Sequence, residues 1–144
     1  MESTLLDKSQ KNKTILVIDD DPDVCALVCD TLEEEGYGCM KAGNGVDGMI
    51  RLRENRPDAV VLDVMLPDKD GVTLCGEISA DSAGTPVIVL TVKRDLYTKI
   101  NSFRAGAKRY LTKPFDIDDL VYAVEKTLQQ KELKGKQYKM YDAH

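Results

Sequence analysis

The sequence predicts a single α/β domain, a parallel sheet wrapped by helices on both faces. Five short, largely β-branched segments recur at similar intervals, and the stretches between them carry helical period. Three of the strand-like runs, the first, third and fourth, are also apolar throughout rather than alternating, as expected of strands buried on both sides. Strands alternating with helices imply βαβ units with right-handed crossovers, hence a (βα)5 doubly wound fold.

The first strand is Ile15-Leu16-Val17-Ile18. Asp21-Pro22 starts the helix that follows, because an aspartate before the first turn accepts a free backbone N–H and proline is tolerated at the first helical position. Val24, Leu27, Val28 and Leu32 lie on one face of it, and Gly36 is a plausible stop. A weaker second strand is Cys39-Met40-Lys41-Ala42; the third is Ala59-Val60-Val61-Leu62 and the fourth Val87-Ile88-Val89-Leu90, with Gly84 as the stop of the helix before it. The fifth, Arg109-Tyr110-Leu111-Thr112, follows a stop at Gly106. Ile117, Leu120, Val121, Val124 and Leu128 form the stripe of a last helix, capped by Asp116 after Pro114.

Size and charge narrow the function. At 144 residues, 42% hydrophobic and 31% charged, the chain suits one domain with a full core and is too short for two ordinary ones. We expect a flexible leader over 1–12, the domain over 13–131 and a polar tail over 132–144. A net charge of −5 disfavours general attraction to nucleic acid or anionic membrane. Met1 to Lys13 is polar, and the longest apolar run, Val24 to Cys29, is far too short to span a bilayer, so a cytoplasmic protein without a membrane role is expected. Cys25, Cys29, Cys39 and Cys75 form no zinc-type CxxC pair; no disulfide framework is expected, and Cys25 and Cys29 read as small core residues. Glu33-Glu34-Glu35 reads as a solvated helix end. Lys126, Lys131, Lys134, Lys136 and Lys139, with Tyr138 and Tyr141 nearby, read as a solvated helix end and tail rather than a nucleic-acid contact.

The chemistry lies at the strand ends. Ile18 leads into Asp19-Asp20-Asp21, Leu62 into Asp63, Leu90 into Thr91, and Leu111-Thr112 into Lys113-Pro114. In a parallel sheet these ends share one edge, where open α/β folds place their sites. Asp63 is the most informative residue, since an ionised acid closing a buried strand is costly unless compensated. Asp19, Asp20 and Asp63 together would repel one another unless a hard dication sat among them, and oxygen-only ligands suit Mg²⁺. Lys113 offsets part of the remaining charge, and Thr91 can donate a hydrogen bond to a phosphoryl oxygen. A carboxylate beside a metal and a lysine is set up as a nucleophile towards phosphorus, giving an acyl phosphate on Asp63.

With these residues assembled, the chain resembles the receiver domain of two-component response regulators over about residues 13 to 131. The resemblance rests on Ile15 to Pro22, on Asp63 with Met65-Leu66-Pro67-Asp68-Lys69-Asp70-Gly71, on Thr91, and on Phe103-Arg104-Ala105-Gly106-Ala107 running into Tyr110-Leu111-Thr112-Lys113-Pro114-Phe115. It implies a flavodoxin-like sheet of order 2-1-3-4-5. It implies Asp63 as phosphoacceptor, Mg²⁺ bound directly by Asp20, Asp63 and the Met65 carbonyl, Asp19 holding a metal-bound water, Thr91 and Lys113 on the phosphoryl group, and a cis Lys113-Pro114 bond. A switch follows: phosphorylation draws Thr91 in, Tyr110 turns from outside to inside, and the surface of the fourth helix, fifth strand and fifth helix changes. The donor would be a sensor histidine kinase or phosphotransfer protein, and the reader an effector protein, a missing output domain or a second copy in a homodimer formed on activation. Such a receiver catalyses only its own phosphorylation and dephosphorylation.

Val92 departs from the family's usual small residue and is expected to narrow access to the site. Met65 and Lys93 sit where family members vary and tune phosphoryl lifetime; bulky Met65 is expected to lengthen it. Other readings are a phosphorylation-independent docking or dimerisation receiver, an aspartate-nucleophile phosphatase and an FMN carrier. The complete acid, threonine and lysine set argues against the first. The phosphatase wants a second aspartate where Met65 stands, and the acids of Asp19 to Asp23 would repel a flavin phosphate. About a dozen residues follow the last helix, compatible with a stand-alone receiver or a fragment of a longer regulator.

Overall fold

In a computed structural model the described residues are 12–81 and 83–142, with side chains described to 134. Ten elements alternate: β1 Thr14–Ile18, α1 Pro22–Glu34, β2 Gly38–Ala42, α2 Gly45–Asn55, β3 Ala59–Leu62, α3 Gly71–Ala80, β4 Val87–Thr91, α4 Leu96–Ala105, β5 Ala107–Thr112 and α5 Ile117–Asp142. The five strands are parallel in the order β2-β1-β3-β4-β5, as the (βα)5 reading requires.

Why each face is buried follows from the period of a strand, in which successive side chains point to opposite sides. Ile15, Val17, Ala59, Val61, Ile88 and Leu90 face α1 and α5, meeting Val28, Leu32, Leu120, Val124 and Leu128. Leu16, Ile18, Val60, Leu62, Val87 and Val89 face the other way, onto Met49 and Leu52 of α2 and Leu74, Cys75 and Ile78 of α3. The isoleucine and leucine side chains among these are essentially sealed from water, so truncating any one to alanine costs about 2–5 kcal/mol.

Helix starts are written in acids and amides. Asp21, Asn44, Asp70 and Asp95 cap α1 to α4, each accepting from a backbone N–H in the first turn. Asp116 instead enters α5 through its backbone carbonyl, which accepts from Leu120 N at 3.1 Å. Helix ends are less regular. Gly106, at φ 120°, closes α4 as expected, a conformation that disfavours any side chain. Arg56 closes α2 in the left-handed region, while Gly84 lies three residues beyond the Asp81 cap of α3. Gly71 is fixed by crowding, since a Cβ there would strike the Val64 backbone.

One expectation is corrected. Cys29 of α1 and Cys39 of β2 are joined as a disulfide, their Cα atoms 5.4 Å apart, so Cys29 is more than a core filler. Period and spacing rules do not register a pair formed across a helix and the strand after it. The stretch from 132, expected as a polar tail, is helical as far as Asp142, as the continuation of α5. The sequence there lacks an apolar stripe, but lysine, glutamate, glutamine and leucine all favour helix. The leader over 1–11 lies outside the described residues, as do the side chains of Lys136, Tyr138, Lys139 and Tyr141. Among the described residues no helix is long and apolar enough to cross a membrane.

Candidate functional site

Three of the predicted site residues are held by one device. The sheet ladder runs one residue past the strands: Asp19 N donates to Ala42 O at 3.0 Å, Asp63 N to Ile18 O at 2.9 Å, and Lys113 N to Thr91 O at 2.8 Å. Each side chain therefore leaves a backbone fixed to the neighbouring strand, at the carboxyl edge of the sheet. Asp19 and Asp63 are 3% and 5% exposed, whereas Asp20 is open to solvent. One oxygen from each of these acids lies within 4.8 Å of the others.

Lys113 stands between the two buried acids. Its ammonium is 2.7 Å from Asp19 Oδ2 and 2.8 Å from Asp63 Oδ2, in charge-assisted hydrogen bonds. The other oxygens are tied locally, Asp19 Oδ1 accepting from Asp21 N and Asp63 Oδ1 from Met65 N, both at 2.9 Å. Burial pushes the Asp19 carboxyl above its usual range, and the charge of Asp63 adds to that; the Lys113 and Asp21 hydrogen bonds offset only part. At Lys113 the balance is reversed. Burial alone would lower the ammonium's pKa, but hydrogen bonds to Asp19 and Asp63 and their charges outweigh it, and the group stays firmly cationic. One cation between two acids plus a third acid leaves a surplus of negative charge, which suits a further cation.

Thr91, fully buried at the end of β4, has its hydroxyl 3.4 Å from Lys93 N, which donates to it. Tyr110 is half-buried, its hydroxyl donating to Lys93 O at 2.8 Å and its ring 6.3 Å from that of Phe103. The two predicted switch residues thus grip opposite ends of one residue's backbone. Met65, two residues beyond Asp63, is 49% exposed, and Val92 is 55% exposed. The Lys113-Pro114 bond is cis.

Two supports went unread in the sequence. Arg94 reaches from the loop after β4 to the end of β5, donating to Lys113 O at 2.9 Å and Thr112 Oγ1 at 3.3 Å. Asp68, in the loop after Asp63, accepts from Gly45 N at 2.8 Å and Val46 N at 3.0 Å, pinning that loop to the start of α2. Those N–H bonds hold its carboxyl below the usual range. Asp68 lies in the run from Met65 to Gly71, but its partner twenty-odd residues upstream has no signature in a linear pattern.

This edge defines a class. The profile of the response regulator receiver domain matches residues 15–125, and the chain belongs to that family. Among its relatives, the DNA-binding dual master transcriptional regulator RpaA of Synechocystis is 40% identical over 118 residues, 81% of this chain and 49% of the relative. The probable transcriptional regulatory protein TcrX of Mycobacterium tuberculosis is 38% identical over 117 residues, 81% of this chain and 50% of the relative. The chain spans about half the length of the curated relatives it matches. Of solved structures, a response regulator from Chloroflexus aurantiacus aligns with TM-score 0.78 and 37% identity over 83% of this chain and 99% of that one. A CheY-like receiver from Methanospirillum hungatei gives TM-score 0.82 and 27% identity over 86% of this chain and 99% of that one.

Proposed function

We propose that this receiver takes a phosphoryl group from a phosphohistidine of a sensor kinase or phosphotransfer protein onto Asp63. The observation that carries the reading is the Lys113 ammonium bridging Asp19 and Asp63 with Asp20 alongside. An oxygen of Asp63 attacks phosphorus, the P–N bond to histidine breaks, and the imidazole leaves as the neutral ring, keeping the proton on its other nitrogen. Lys113 stays charged throughout, and Thr91 supplies a hydroxyl to a phosphoryl oxygen. The acid cluster fits a hard dication by donor chemistry, with oxygen ligands only and one acid open to water. Asp20, Asp63 and the Met65 carbonyl would hold Mg²⁺, with Asp19 holding one of its waters. When bound, the ion offsets charge on the transferring group.

The readout passes through Lys93. A Thr91 drawn towards the phosphoryl group releases Lys93 N, and the loop that Tyr110 holds by the Lys93 carbonyl moves with it. The surface affected is that of α4, β5 and α5, where Leu96, Tyr97, Phe103 and Tyr122 are exposed. A partner protein, an output domain or a second copy would dock there. The relatives are named as DNA-binding and transcriptional regulators, and a transcriptional output is the reading they favour. In this reading the protein acts in the cytoplasm and is no enzyme on other substrates.

Incubation with Mg²⁺ and a small acyl phosphate tests this by intact mass. One phosphoryl group gained by the native chain and none by Asp63→Asn is expected; steady phosphate release without mass gain would indicate a phosphatase, and no change a docking module. Size-exclusion chromatography with and without beryllofluoride reads the homodimer.

A further inference from the structure

We propose that Cys29 and Cys39 form a reversible thiol–disulfide site, closed by peroxides and opened by thiol reductants, that staples α1 to the edge strand β2. The observation is positional. Cys29 projects from α1 and Cys39 from β2, their sulfurs bonded and their Cα atoms 5.4 Å apart, inside the range that a disulfide spans without moving backbone. The pairing is selective. Cys25, one turn earlier on the same helix, directs its thiol to the Asp19 carbonyl at 3.3 Å, and Cys75 lies on the opposite face of the sheet. Both remain free thiols and both are buried.

Access divides the pair into two roles. Cys29 is 1% exposed, whereas Cys39 is only partly buried, on a strand with a single strand neighbour. Cys39 therefore meets the reagent and Cys29 resolves. The Cys39 thiolate attacks a peroxide oxygen: an S–O bond forms, the O–O bond breaks, and the leaving hydroxide takes a proton to become water. The Cys29 thiolate then attacks the sulfenic sulfur, the S–S bond forms, and the S–O bond breaks to release a second water. The two thiols lose two electrons and two protons, and a peroxide such as hydrogen peroxide is reduced to two waters. In reverse, one reductant thiolate attacks the Cys39 sulfur, expelling Cys29 and forming a mixed disulfide; a second reductant thiolate then attacks the reductant's sulfur in that mixed disulfide, expelling Cys39 and leaving the reductant as the disulfide.

The bond is not needed to complete the core, since Val28, Leu32 and Tyr37 pack there regardless. What it adds is a covalent tie between the two elements that flank the acidic loop. Ala42, ending β2, holds Asp19 N, and Asp21, capping α1, has its own N–H on Asp19. The proposal stands independently of phosphorylation at Asp63.

The test uses the full chain, treated with hydrogen peroxide or with dithiothreitol, then alkylated in denaturant and weighed. Dithiothreitol-treated protein should take up alkyl groups on all four cysteines; peroxide-treated protein should take up two and yield, on digestion, one linked peptide pair holding Cys29 and Cys39. Dithiothreitol added afterwards to the folded protein should restore four. The oxidised form should melt about 5 °C higher than the reduced form, since the link restricts the unfolded chain. Cys39→Ser, a change at the accessible position, should fold and show no such difference. Four alkylations after peroxide, a different cysteine pair, or a link that folded protein keeps in dithiothreitol would each overturn the proposal. So would an unchanged melting difference in Cys39→Ser.

Discussion

The two edges of the sheet are built on different terms. At one edge β2 pairs with β1 in unbroken register over five residues and is bonded to α1 through Cys39. At the other, β5 pairs with β4 through a register slip after Val87, and its residues past Ala107 are only partly buried or exposed. There the connections are reversible ones: Tyr110 to Lys93, Arg94 to the end of β5, and Lys113 to the two buried acids. A parallel sheet buried on both faces has no freedom in its centre, so conformational change has to be confined to an edge. The contrast teaches where a local change in charge has a path to the surface, on the β5 side.

The largest expected effect breaks the β5 side at its root. Lys113→Gln leaves Asp19 and Asp63 buried against each other without a counter-charge, and should lower unfolding free energy by on the order of 3 kcal/mol in metal-free buffer. Urea titration measures it, and added Mg²⁺ should recover part of the loss. The same variant should lose an alkaline limb. The folded pKa of Lys113 lies above its ordinary 10.5, so its stabilisation is complete below that value and fades as pH rises through the folded one. Native protein should therefore lose more stability there than Lys113→Gln, in which only buried groups such as Tyr37 and Cys75, whose burial raises their pKa, still oppose high pH.

On the β2 side, Cys39→Ser compared with oxidised native protein should cost about 2–3 kcal/mol, with amide exchange faster in β2 and α1 and unchanged at Lys93. If exchange rises equally at both edges, the division proposed between them fails. A smaller effect is expected of Tyr110→Phe, which removes one hydrogen bond worth about 1 kcal/mol. Its signature is faster exchange confined to the loop from Val92 to Asp95. Weakest is the acid response of the α4 cap. The Thr98 hydroxyl and backbone N–H hold the exposed Asp95 carboxyl below the ordinary 3.8, so the cap's contribution is present above that pH and lost as pH falls through its folded value. Carboxyl chemical shifts of Asp95 in native protein and Thr98→Val would show the difference.

Much of this arrangement was readable from residues alone because it rests on local rules. Uniform apolar runs announced strands buried on both sides, and the parallel order then obliged Asp19, Asp63, Thr91 and Lys113 to share an edge. Asp21 capping α1 ahead of Pro22 follows a rule that holds for helices anywhere. What could not be read depends on distance along the chain. Asp68 grips α2 from the next βα unit, Arg94 spans the gap to β5, and Cys29 meets Cys39 only because α1 packs back on β2. Arg56 closing α2 in a glycine-like conformation also escaped, since a non-glycine left-handed cap carries no signature. The Tyr110 position depends on a neighbour's carbonyl rather than on its own identity.

That carbonyl has a further consequence. Lys93 meets Thr91 through its N–H and Tyr110 through its C=O, while its side chain points elsewhere and pairs at 3.7 Å with Asp95. In the proposed switch, the link between strand end and surface is thus main chain, which every residue but proline supplies. Position 93 is free to carry whatever side chain tunes the site's chemistry without cutting transmission, so alanine scanning would find it silent for coupling. Only a change of the backbone itself, such as proline or an ester in place of the amide, would disconnect it.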